Sequence, residues 1–267
     1  MEEKLAQSYK SSDKIDTFLS DHILRIIMNR PEKKNALTVA MYSKMTEFLS
    51  QAEIDENVRI ILIGGAGGSF TSGNDLKDFL ENPPRDKSSP VFAFMNAISQ
   101  MEKPVIAAVE GLAVGIGTTM LLHCDLVYAG KNSKFLLPFV NLGLCPEAGS
   151  SFLLPPLVGA RNATELLFLG EPFSAERAKE LGLINGILED SEVLKYAEQQ
   201  ARKLALKSQT SIRLTKAMLK RKYGQIIKDT ISEEAELLMK RLASPEAAEA
   251  FAAFFEHRQA DFEKFNK

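Results

Sequence analysis

Hydrophobic and polar residues follow one another along the chain with spacings that change between strand-like and helix-like. Residues 17–28 contain two short apolar runs separated by a polar Ser-Asp-His triplet, which predicts a β-hairpin. From residue 38 onward apolar residues recur at helical spacing, and Thr38 is the predicted N-cap. The continuous, branched apolar run at 58–63 predicts a strand that is covered on both faces.

The most apolar part of the chain lies between residues 103 and 130. Its pattern predicts a strand at 105–109, a tight glycine-rich turn at 111–117, a helix at 118–123 and another strand at 125–129. Strand and helix alternate in this way through the first two thirds of the chain. This alternation is typical of an α/β fold with stacked ββα turns.

The pattern becomes helical after residue 173. Ser174 is a predicted N-cap, and Gly182 is the predicted end of the helix that follows it. Residues 191–223 and 232–265 have long helical periodicities with mixed charge. No linker rich in proline, glycine or serine precedes them. We therefore expect a helical region that packs on the core.

Composition and charge narrow the classes of partner. The formal net charge of −2 on 267 residues predicts no general attraction to nucleic acid or to an anionic membrane. The first 16 residues have no apolar run of the signal-peptide type, and the chain has no apolar run of about 18 residues. The last residues do not match a peroxisomal signal of the SKL type. We expect a cytoplasmic protein.

Two glycine-rich turns are the first candidates for a functional site. SFTSGNDL (69–76) and GLAVGIG (111–117) each follow a branched apolar strand and precede a helix. Such turns expose backbone N–H groups, and two of these groups aimed at one point form an oxyanion hole. The alternative is that the glycines only allow close packing. Neither turn has the lysine or the spacing of a nucleotide phosphate site.

Other kinds of site find little support in the sequence. The histidines, His22, His123 and His257, are scattered, and single histidines are more often structural than catalytic. No spacing of metal ligands and no GxSxG motif is present, so we expect neither a metal site nor a serine hydrolase. Asp75 is a predicted helix cap and Asp125 a predicted structural carboxylate.

One carboxylate stands in an unusual setting. Glu147 follows a proline within NLGLCPEAGSSFLLP (141–155), a run otherwise apolar or rich in small residues. We place it in the first turn of a helix, where a glutamate most often complements the helix dipole at the surface. The second interpretation is a catalytic base in a dry pocket.

Taken together, these segments resemble the crotonase, or enoyl-CoA hydratase/isomerase, superfamily over roughly residues 20–265. The resemblance rests on five blocks in the expected order: RPEKKNAL, SFTSGNDL, KPVIAAVEGLAVGIGTTMLLHCDLVYAG, NLGLCPEAGSSFLLP and SAERAKELGLINGIL. It implies an α/β, crotonase-like spiral of repeated ββα units over 1–200. It also implies a helical C-terminal region at 201–267 that packs on the core or a neighbouring subunit, giving a homotrimer or a dimer of trimers.

The same resemblance implies a ligand and a set of site residues. The ligand is an acyl-CoA thioester, so that coenzyme A is part of the substrate and no separate cofactor or metal is expected. The oxyanion donors would be the backbone N–H groups of Ser72 and Ile116. The residues that bind coenzyme A would be Lys34, Asn35, Ala36, Leu37, Ser72, Gly73, Asn74, Asp75 and Leu76. Lys33 and Lys34 would meet the phosphates or simply form a solvated loop.

Acid–base residues separate the reactions of this superfamily. Enoyl-CoA hydratases have two glutamates, at positions where this chain has Thr119 and Phe139. The resemblance is closer to the peroxisomal and yeast-type Δ3,Δ2-enoyl-CoA isomerases, which have one catalytic glutamate aligned with Glu147. It implies that Glu147 moves a proton from C2 to C4 of a 3-enoyl-CoA, and that burial raises the pKa of Glu147 towards neutrality.

Several points stay open in the sequence. The acyl chain is expected along Phe79, Leu80 and the 90–98 helix, and Asn96 is a candidate assistant to Glu147. Alternatives to the isomerase are another crotonase reaction on a CoA thioester, including a hydratase-like one, and a non-catalytic acyl-CoA-binding module.

Overall fold

The computed structural model describes residues 9–12 and 14–265. Most of the N-terminal segment used above to predict that no signal peptide is present lies outside these residues. Among the helices of the described part, none is long and apolar enough to cross a membrane.

Strands and helices alternate along the described chain. The first half contains β1 (Ile15–Ser20), β2 (Ile23–Met28), α1 (Val39–Ile54), β3 (Ile60–Gly65), α2 (Leu76–Glu81), α3 (Pro90–Gln100), β4 (Val105–Val109), β5 (Leu112–Val114), α4 (Ile116–Thr119), β6 (Leu126–Gly130) and β7 (Lys134–Leu136). The second half contains α5 (Ser150–Val158), α6 (Ala160–Leu169), β8 (Phe173–Ser174), α7 (Ala175–Glu180), β9 (Gly186–Leu188), α8 (Val193–Ala205), α9 (Gln209–Lys220), α10 (Gly224–Leu242) and α11 (Pro245–Phe255).

The strands form two sheets. The larger has six strands in the order β1-β2-β3-β4-β6-β9, and the smaller has three in the order β5-β7-β8. β1 and β2 form an antiparallel hairpin, whereas β2, β3, β4, β6 and β9 pair in parallel. β5 and β7 are parallel, and β8 is antiparallel to β7. The predicted hairpin and the predicted α/β class are therefore confirmed.

The two sheets are successive layers of one spiral. β4 continues into β5 and β6 continues into β7, so each of these two turns contributes one strand to each sheet. The earlier turns contribute single bridges to the smaller sheet, Leu37 to Asn74 and Thr71 to Ala113. This arrangement confirms the predicted spiral of ββα units.

Each face of the larger sheet is covered. Helices α1 and α3 lie on one face, where Tyr42, Phe48, Phe92 and Phe94 are fully buried. Helix α8 lies on the other face through one residue per turn: Val193, Ala197, Ala201 and Ala205. Small side chains at this spacing allow a helix to approach a sheet closely, which buries the apolar residues of β2, β3 and β4 on both sides.

Most predicted elements are present, with shifted ends. Thr38 caps α1 by accepting a hydrogen bond from the Met41 amide (3.3 Å), and Ser174 caps α7 through the Arg177 amide (3.3 Å). The strand predicted at 58–63 lies two residues later, at Ile60–Gly65. The predicted turn at 111–117 was wrong in part, because it contains strand β5. That strand is stabilised by pairing with β7, which local pattern does not reveal.

The C-terminal part consists of helices α8 to α11. The two long helical stretches expected there are divided by breaks at 206–208, 221–223 and 243–244. The predicted division between a core at 1–200 and a helical region at 201–267 falls within α8, and as a statement about domains it stays a prediction.

Replacing Gly73 by alanine is expected to destabilise the fold by about 2 kcal/mol or more. Gly73 has φ +88°, and a Cβ there would lie 2.8 Å from the carbonyl oxygen of Val114. Gly68→Ala is a matched control, because Gly68 has φ +71° with no heavy atom within 4 Å of such a Cβ. Denaturant unfolding of both variants measures the difference. Equal free energies of unfolding would contradict the proposed clash.

Candidate active site

A cavity of about 810 Å³ lies beside the two glycine-rich turns. Its walls come from loop 33–36, from residues 72–79, from the start of α4 and from the C-terminal helix α11. The apolar side chains that line it include Ile116, Leu136, Phe139, Leu142, Leu144, Leu238 and Phe254. Chain segments distant in sequence therefore build one site, and most of its surface is apolar.

The two glycine-rich turns lie directly against each other. The Thr71 amide donates to the carbonyl of Leu112 (2.8 Å), and the Val114 amide donates to the carbonyl of Thr71 (3.1 Å). A Cβ on Gly117 would lie 2.7 Å from the Thr71 side chain. Glycine is thus required for this close approach. The two turns converge, as the family resemblance implied. The alternative interpretation, that the glycines allow close packing, is confirmed too.

The two predicted oxyanion donors differ in their hydrogen bonds. Ile116 is the first residue of α4, where a backbone N–H has no acceptor within the helix, and no other acceptor for it is present in the described part of the chain. The Ser72 amide instead donates to the carbonyl of Lys34 (2.9 Å). Of these two amides, that of Ile116 has no acceptor among the described residues, and that of Ser72 is already bonded.

Glu147 is buried beside α4, with 2% of its surface exposed. It lies in a turn before α5, three residues ahead of the helix, so its predicted place in the first helical turn was wrong. Ala148 (φ +57°) and Gly149 (φ +73°) are left-handed, which prevents the helix from extending back to Glu147. Thr119 donates a long hydrogen bond (3.4 Å) to its carboxylate.

Burial raises the pKa of Glu147 to about 8, and the nearby carboxylate of Glu234 adds to the increase. The bond from Thr119 opposes it only partly. The predicted direction is confirmed. The carboxyl of Glu147 can therefore both lose and regain a proton near neutral pH.

Two buried side chains hold the turn that carries Glu147. His123 Nε2–H donates to the carbonyl of Ala148 (2.7 Å), and burial lowers the pKa of His123 to about 4, so the ring is neutral. Glu234 accepts a hydrogen bond from the Gly149 amide (2.6 Å). His123 has the structural role expected for a single histidine. Glu234 was missed, although it stands at helical spacing among apolar residues of α10.

Further polar contacts near the site were also missed. The hydroxyl of Tyr42, on α1, donates to the side-chain oxygen of Asn74. Burial raises the pKa of Tyr42, and the charge of Glu147 raises it further. Arg30 forms an ion pair with Asp75 (2.6 Å), which also caps α2 as predicted. The contact between Tyr42 and Asn74 had one signal in the sequence, which is the single tyrosine among the apolar residues of α1.

The residues predicted to bind coenzyme A separate into two groups. Those that line the large cavity are Lys34, Ala36, Ser72, Gly73, Asn74, Asp75 and Leu76. Asn35 is fully buried, and its side chain donates to the carbonyls of Ala66 (2.9 Å) and Ser69 (2.6 Å). Leu37 lines a neighbouring cavity of about 350 Å³. Asn35 and Leu37 therefore support the loops without facing the large cavity.

Candidates for the acyl path also separate. Phe79 lines both cavities, whereas Leu80 is exposed and lines neither. Asn96 donates to the carbonyl of Phe92 (2.9 Å) and lines a third cavity, between α3 and α10. The observed polar neighbour of Glu147 is Thr119. Within the described residues no group of three or more metal-ligating side chains was found.

The free energy of unfolding is expected to fall between about pH 4.5 and pH 8 because of Glu147. Its pKa is raised to about 8 in the folded state, so the folded protein binds the proton more tightly than the unfolded chain. The stability that this proton provides is present below the unfolded pKa and is lost as the pH rises through 8. Glu147→Gln should therefore unfold several degrees above the wild type at pH 8.5 but not at pH 4.

The exposed Glu171→Gln variant is the control for this pH effect, since Glu171 forms no side-chain hydrogen bond within the described structure. Its melting temperature should follow that of the wild type at both pH values. A Glu147→Gln variant with the same pH dependence as the wild type would contradict the raised pKa.

Comparison with known proteins places this site in a family context. A family model described as enoyl-CoA hydratase/isomerase matches residues 19–265. A 1,2-epoxyphenylacetyl-CoA isomerase of Escherichia coli (strain K12) is 32% identical, covering 90% of this chain and 94% of the relative. A human enoyl-CoA delta isomerase 2 is also 32% identical, covering 89% of this chain and 62% of that longer protein. Relatives of similar identity have hydratase names.

Solved structures agree with this assignment. The structure of Pseudomonas aeruginosa OdaA is 48% identical, covers 91% of this chain and 99% of its own, and superposes with a TM-score of 0.89. The match of the family model over most of the chain, together with this likeness of fold, leads to one conclusion. The chain belongs to the enoyl-CoA hydratase/isomerase family.

Proposed function

We propose that the protein is a Δ3,Δ2-enoyl-CoA isomerase in which Glu147 is the only acid–base group. The Glu147 carboxylate removes a proton from C2 of a 3-enoyl-CoA. The electron pair moves towards the thioester oxygen and gives a dienolate. The protonated Glu147 then delivers the proton to C4, which leaves the double bond between C2 and C3. No water, metal or separate cofactor enters this reaction.

The observation that carries the proposal is the isolation of Glu147. Among the described residues, the acidic side chains that line the large cavity are Asp75 and Glu147. Asp75 is paired with Arg30 and caps a helix, so it has no free role as a base. One unpaired carboxyl group suits a proton shuttle within the substrate. Hydration, by contrast, needs one group to activate water and another to deliver its proton.

A hydratase remains the main alternative, because several relatives have that name. The side chains at the two expected acid positions oppose it. Thr119 lies within hydrogen-bonding distance of Glu147 and offers no carboxyl group, and Phe139 places an aromatic ring in the cavity wall. An apolar wall also disfavours an ordered water molecule.

Charge that develops on the thioester oxygen requires hydrogen-bond donors. The unpaired Ile116 amide at the N-terminus of α4 supports its proposed role, since both the N–H group and the helix dipole favour an anion. For Ser72 to be the second donor, its amide must exchange the carbonyl of Lys34 for the substrate oxygen. In the proposed oxyanion hole, the Ile116 donor is thus available before the substrate binds, whereas the Ser72 donor is not.

Binding of coenzyme A is proposed along loop 33–36 and residues 72–76. Lys33, Lys34 and Lys77 line the large cavity and would supply positive charge for the phosphates of coenzyme A. The protein as a whole has a net charge of −2, so this positive charge is local. Asn35 is proposed to act indirectly, because its buried side chain fixes the loop that presents Lys34.

Incubation with trans-3-hexenoyl-CoA tests the proposed function. We expect a conjugated 2-enoyl thioester to form, which is followed by its ultraviolet absorbance. Hydration of crotonyl-CoA in a parallel assay should be negligible. Rapid hydration without isomerisation would favour the hydratase, and bound coenzyme A without either reaction would favour a binding module.

Assembly is a further part of the proposal. Large apolar side chains are exposed on several helices of the second half, among them Phe168 and Leu169 on α6, and Leu214, Met218 and Leu219 on α9. Such surfaces are typical of subunit interfaces, and they support the predicted homotrimer or dimer of trimers. Light scattering gives the mass directly. The cytoplasmic location and the absence of nucleic-acid and membrane partners stay predictions.

A further inference from the structure

Glu234 lies on α10, in the C-terminal helical region, yet it faces the core. Only 6% of its surface is exposed. The buried residues around it on the same helix are apolar: Ile227, Ile231, Ala235 and Leu238. A carboxylate in such surroundings is costly unless polar partners compensate for the loss of water.

Its partners all lie in the segment that follows Glu147. Glu234 Oε2 accepts from the Gly149 amide (2.6 Å), and Oε1 accepts from the amide (3.0 Å) and the hydroxyl (2.5 Å) of Ser151. All three partners are donors. Because an ionised carboxylate only accepts hydrogen bonds, this arrangement suits the charged form of Glu234.

These bonds replace a missing helix cap. The N-cap residue of α5 is Gly149, which has no side chain to accept from the first amides of the helix. Glu234 accepts from two of the backbone N–H groups at this N-terminus, and its negative charge complements the helix dipole. Glu234 therefore fixes the start of α5 and the turn before it, although it lies 85 residues after Gly149 in the sequence.

The opposite side of the turn is held by His123, through the carbonyl of Ala148. Ala148 has φ +57°, a backbone conformation that is unfavourable for a residue with a Cβ by about 1–2 kcal/mol. A turn with this cost keeps its shape only if its neighbours fix it. His123 and Glu234 do so from two sides, and the direction of the Glu147 side chain follows from that shape.

We propose that Glu234 is a positioning residue for Glu147, which fixes the turn at 147–151 and supplies a second negative charge near the Glu147 carboxylate. The inference rests on the function proposed for Glu147. Glu234 does not line the large cavity within the described structure, so it does not touch the substrate.

Other ionisable groups surround the same turn and must be considered in any pH dependence. They come from α1, from the 3-10 turn Met120–His123 that follows α4, from the residues just before Glu147 and from α10: Tyr42, His123, Cys145, Glu234 and Arg241. His123 is neutral near pH 7, and burial raises the pKa of Cys145 to about 11, so its thiol is uncharged. Arg241 is bonded to the carbonyl of Gly143 (2.9 Å) and paired with Glu246. Burial raises the pKa of Glu234 itself, and the hydrogen bonds from Ser151 and Gly149 oppose that rise. Glu234 is the charged neighbour that raises the pKa of Glu147.

The test compares Glu234→Gln with Glu233→Gln, a neighbouring exposed position on the same helix. In the wild type, kcat/KM for a 3-enoyl-CoA should rise with pH as Glu147 loses its proton. In Glu234→Gln the midpoint of this rise should move to lower pH by about half a pH unit or more, because the repulsion is removed. The kcat on the alkaline plateau should fall about tenfold, because a hydrogen bond to the turn is lost. Glu233→Gln should match the wild type.

A direct titration keeps this inference separate from the proposed function. The carboxyl group of Glu147, observed by isotope-edited infrared difference against Glu147→Gln, needs no substrate. If the titration midpoint of Glu147 is lower in Glu234→Gln than in Glu233→Gln, the inference is supported, even if the protein does not convert a 3-enoyl-CoA. The lack of conversion would contradict only the proposed function. Identical midpoints together with an unchanged kcat would overturn the inference.

Glu234→Asp separates geometry from charge, and it also serves if the glutamine variant does not fold. Aspartate keeps the charge but is one methylene shorter, so it cannot reach all three donors. The midpoint should stay near the wild-type value while kcat falls about tenfold. Wild-type kcat in this variant would show that Glu234 does not position Glu147.

Discussion

Glu147→Gln is expected to lower kcat for the conversion of a 3-enoyl-CoA by about 10³-fold. The amide has nearly the same size as the carboxyl group but cannot take up and return a proton. Its oxygen can still accept the hydrogen bond from Thr119, and its burial no longer carries the cost of a charge. Because the side chain keeps its shape, KM and the affinity for the acyl-CoA should change little. Stopped-flow or steady-state absorbance of the 2-enoyl product measures kcat, and calorimetry measures binding.

Thr119→Val is the matched control for this variant. It removes the long hydrogen bond to Glu147 (3.4 Å) from a residue that is itself fully buried, and it leaves the carboxyl group in place. We expect a loss of kcat of tenfold or less. Near wild-type conversion by Glu147→Gln would exclude Glu147 as the base, whatever the result for Thr119→Val.

Ile116→Pro is expected to lower kcat by about 10²-fold, the second-largest effect, because it removes one backbone donor from the proposed oxyanion hole. Proline is tolerated at the first position of a helix, which Ile116 occupies in α4, since the amide there makes no helical hydrogen bond. The preceding Gly115 has φ +56°, a conformation that glycine adopts readily. The substitution therefore removes the N–H group with little change to the backbone.

Ile116→Val controls for the loss of side-chain packing in this experiment. Ile116 is 1% exposed, so both variants leave a cavity, but valine retains the amide. Thermal unfolding of the two variants shows how much stability each loses. Similar kcat values for the proline and valine variants would mean that the Ile116 amide stabilises no charge in the reaction.

Local signals predicted the framework of the site because it depends on neighbouring residues. Branched apolar runs predicted β2, β3, β4 and β6, and a threonine before an apolar periodicity predicted the cap of α1. Glycines marked both turns, since a Cβ at Gly73 or Gly117 cannot be accommodated against the adjoining turn. The strands, the cap and the glycine spacing can be read from neighbouring residues, whereas the contact between the two turns that requires the glycines is seen only in the tertiary structure.

The turn that carries Glu147 could not be predicted in this way. Pro146 and a following small-residue run are compatible with a helix that starts at Glu147, and that was the expectation. The helix begins at Ser150 because His123 and Glu234, from other parts of the chain, hold Ala148 in a left-handed conformation and cap the helix at Gly149. A long-range pair of hydrogen bonds decides this boundary.

The loop predicted to bind coenzyme A shows a similar limit. The sequence pointed to residues 34–37 as a group, whereas the structure turns Asn35 into the core and presents Lys34 and Ala36 to the cavity. Lys34 and Asn35 both have positive φ values, +49° and +56°. Which side chain faces the ligand depends on these backbone angles, and they are set by contacts with Ala66, Ser69 and Thr71.

By itself, the sequence determined the α/β class, the order of the elements, the two glycine-rich turns and the one glutamate between apolar neighbours, because each of these follows from local spacing and side-chain type. The tertiary structure decided how deeply that glutamate is buried and which charges lie near it. Burial, together with the nearby charge of Glu234, raises the pKa of Glu147 to about 8. Loss of solvent and the approach of other charges both act through space. They therefore shift the pKa of a carboxyl group only when the chain has folded around it.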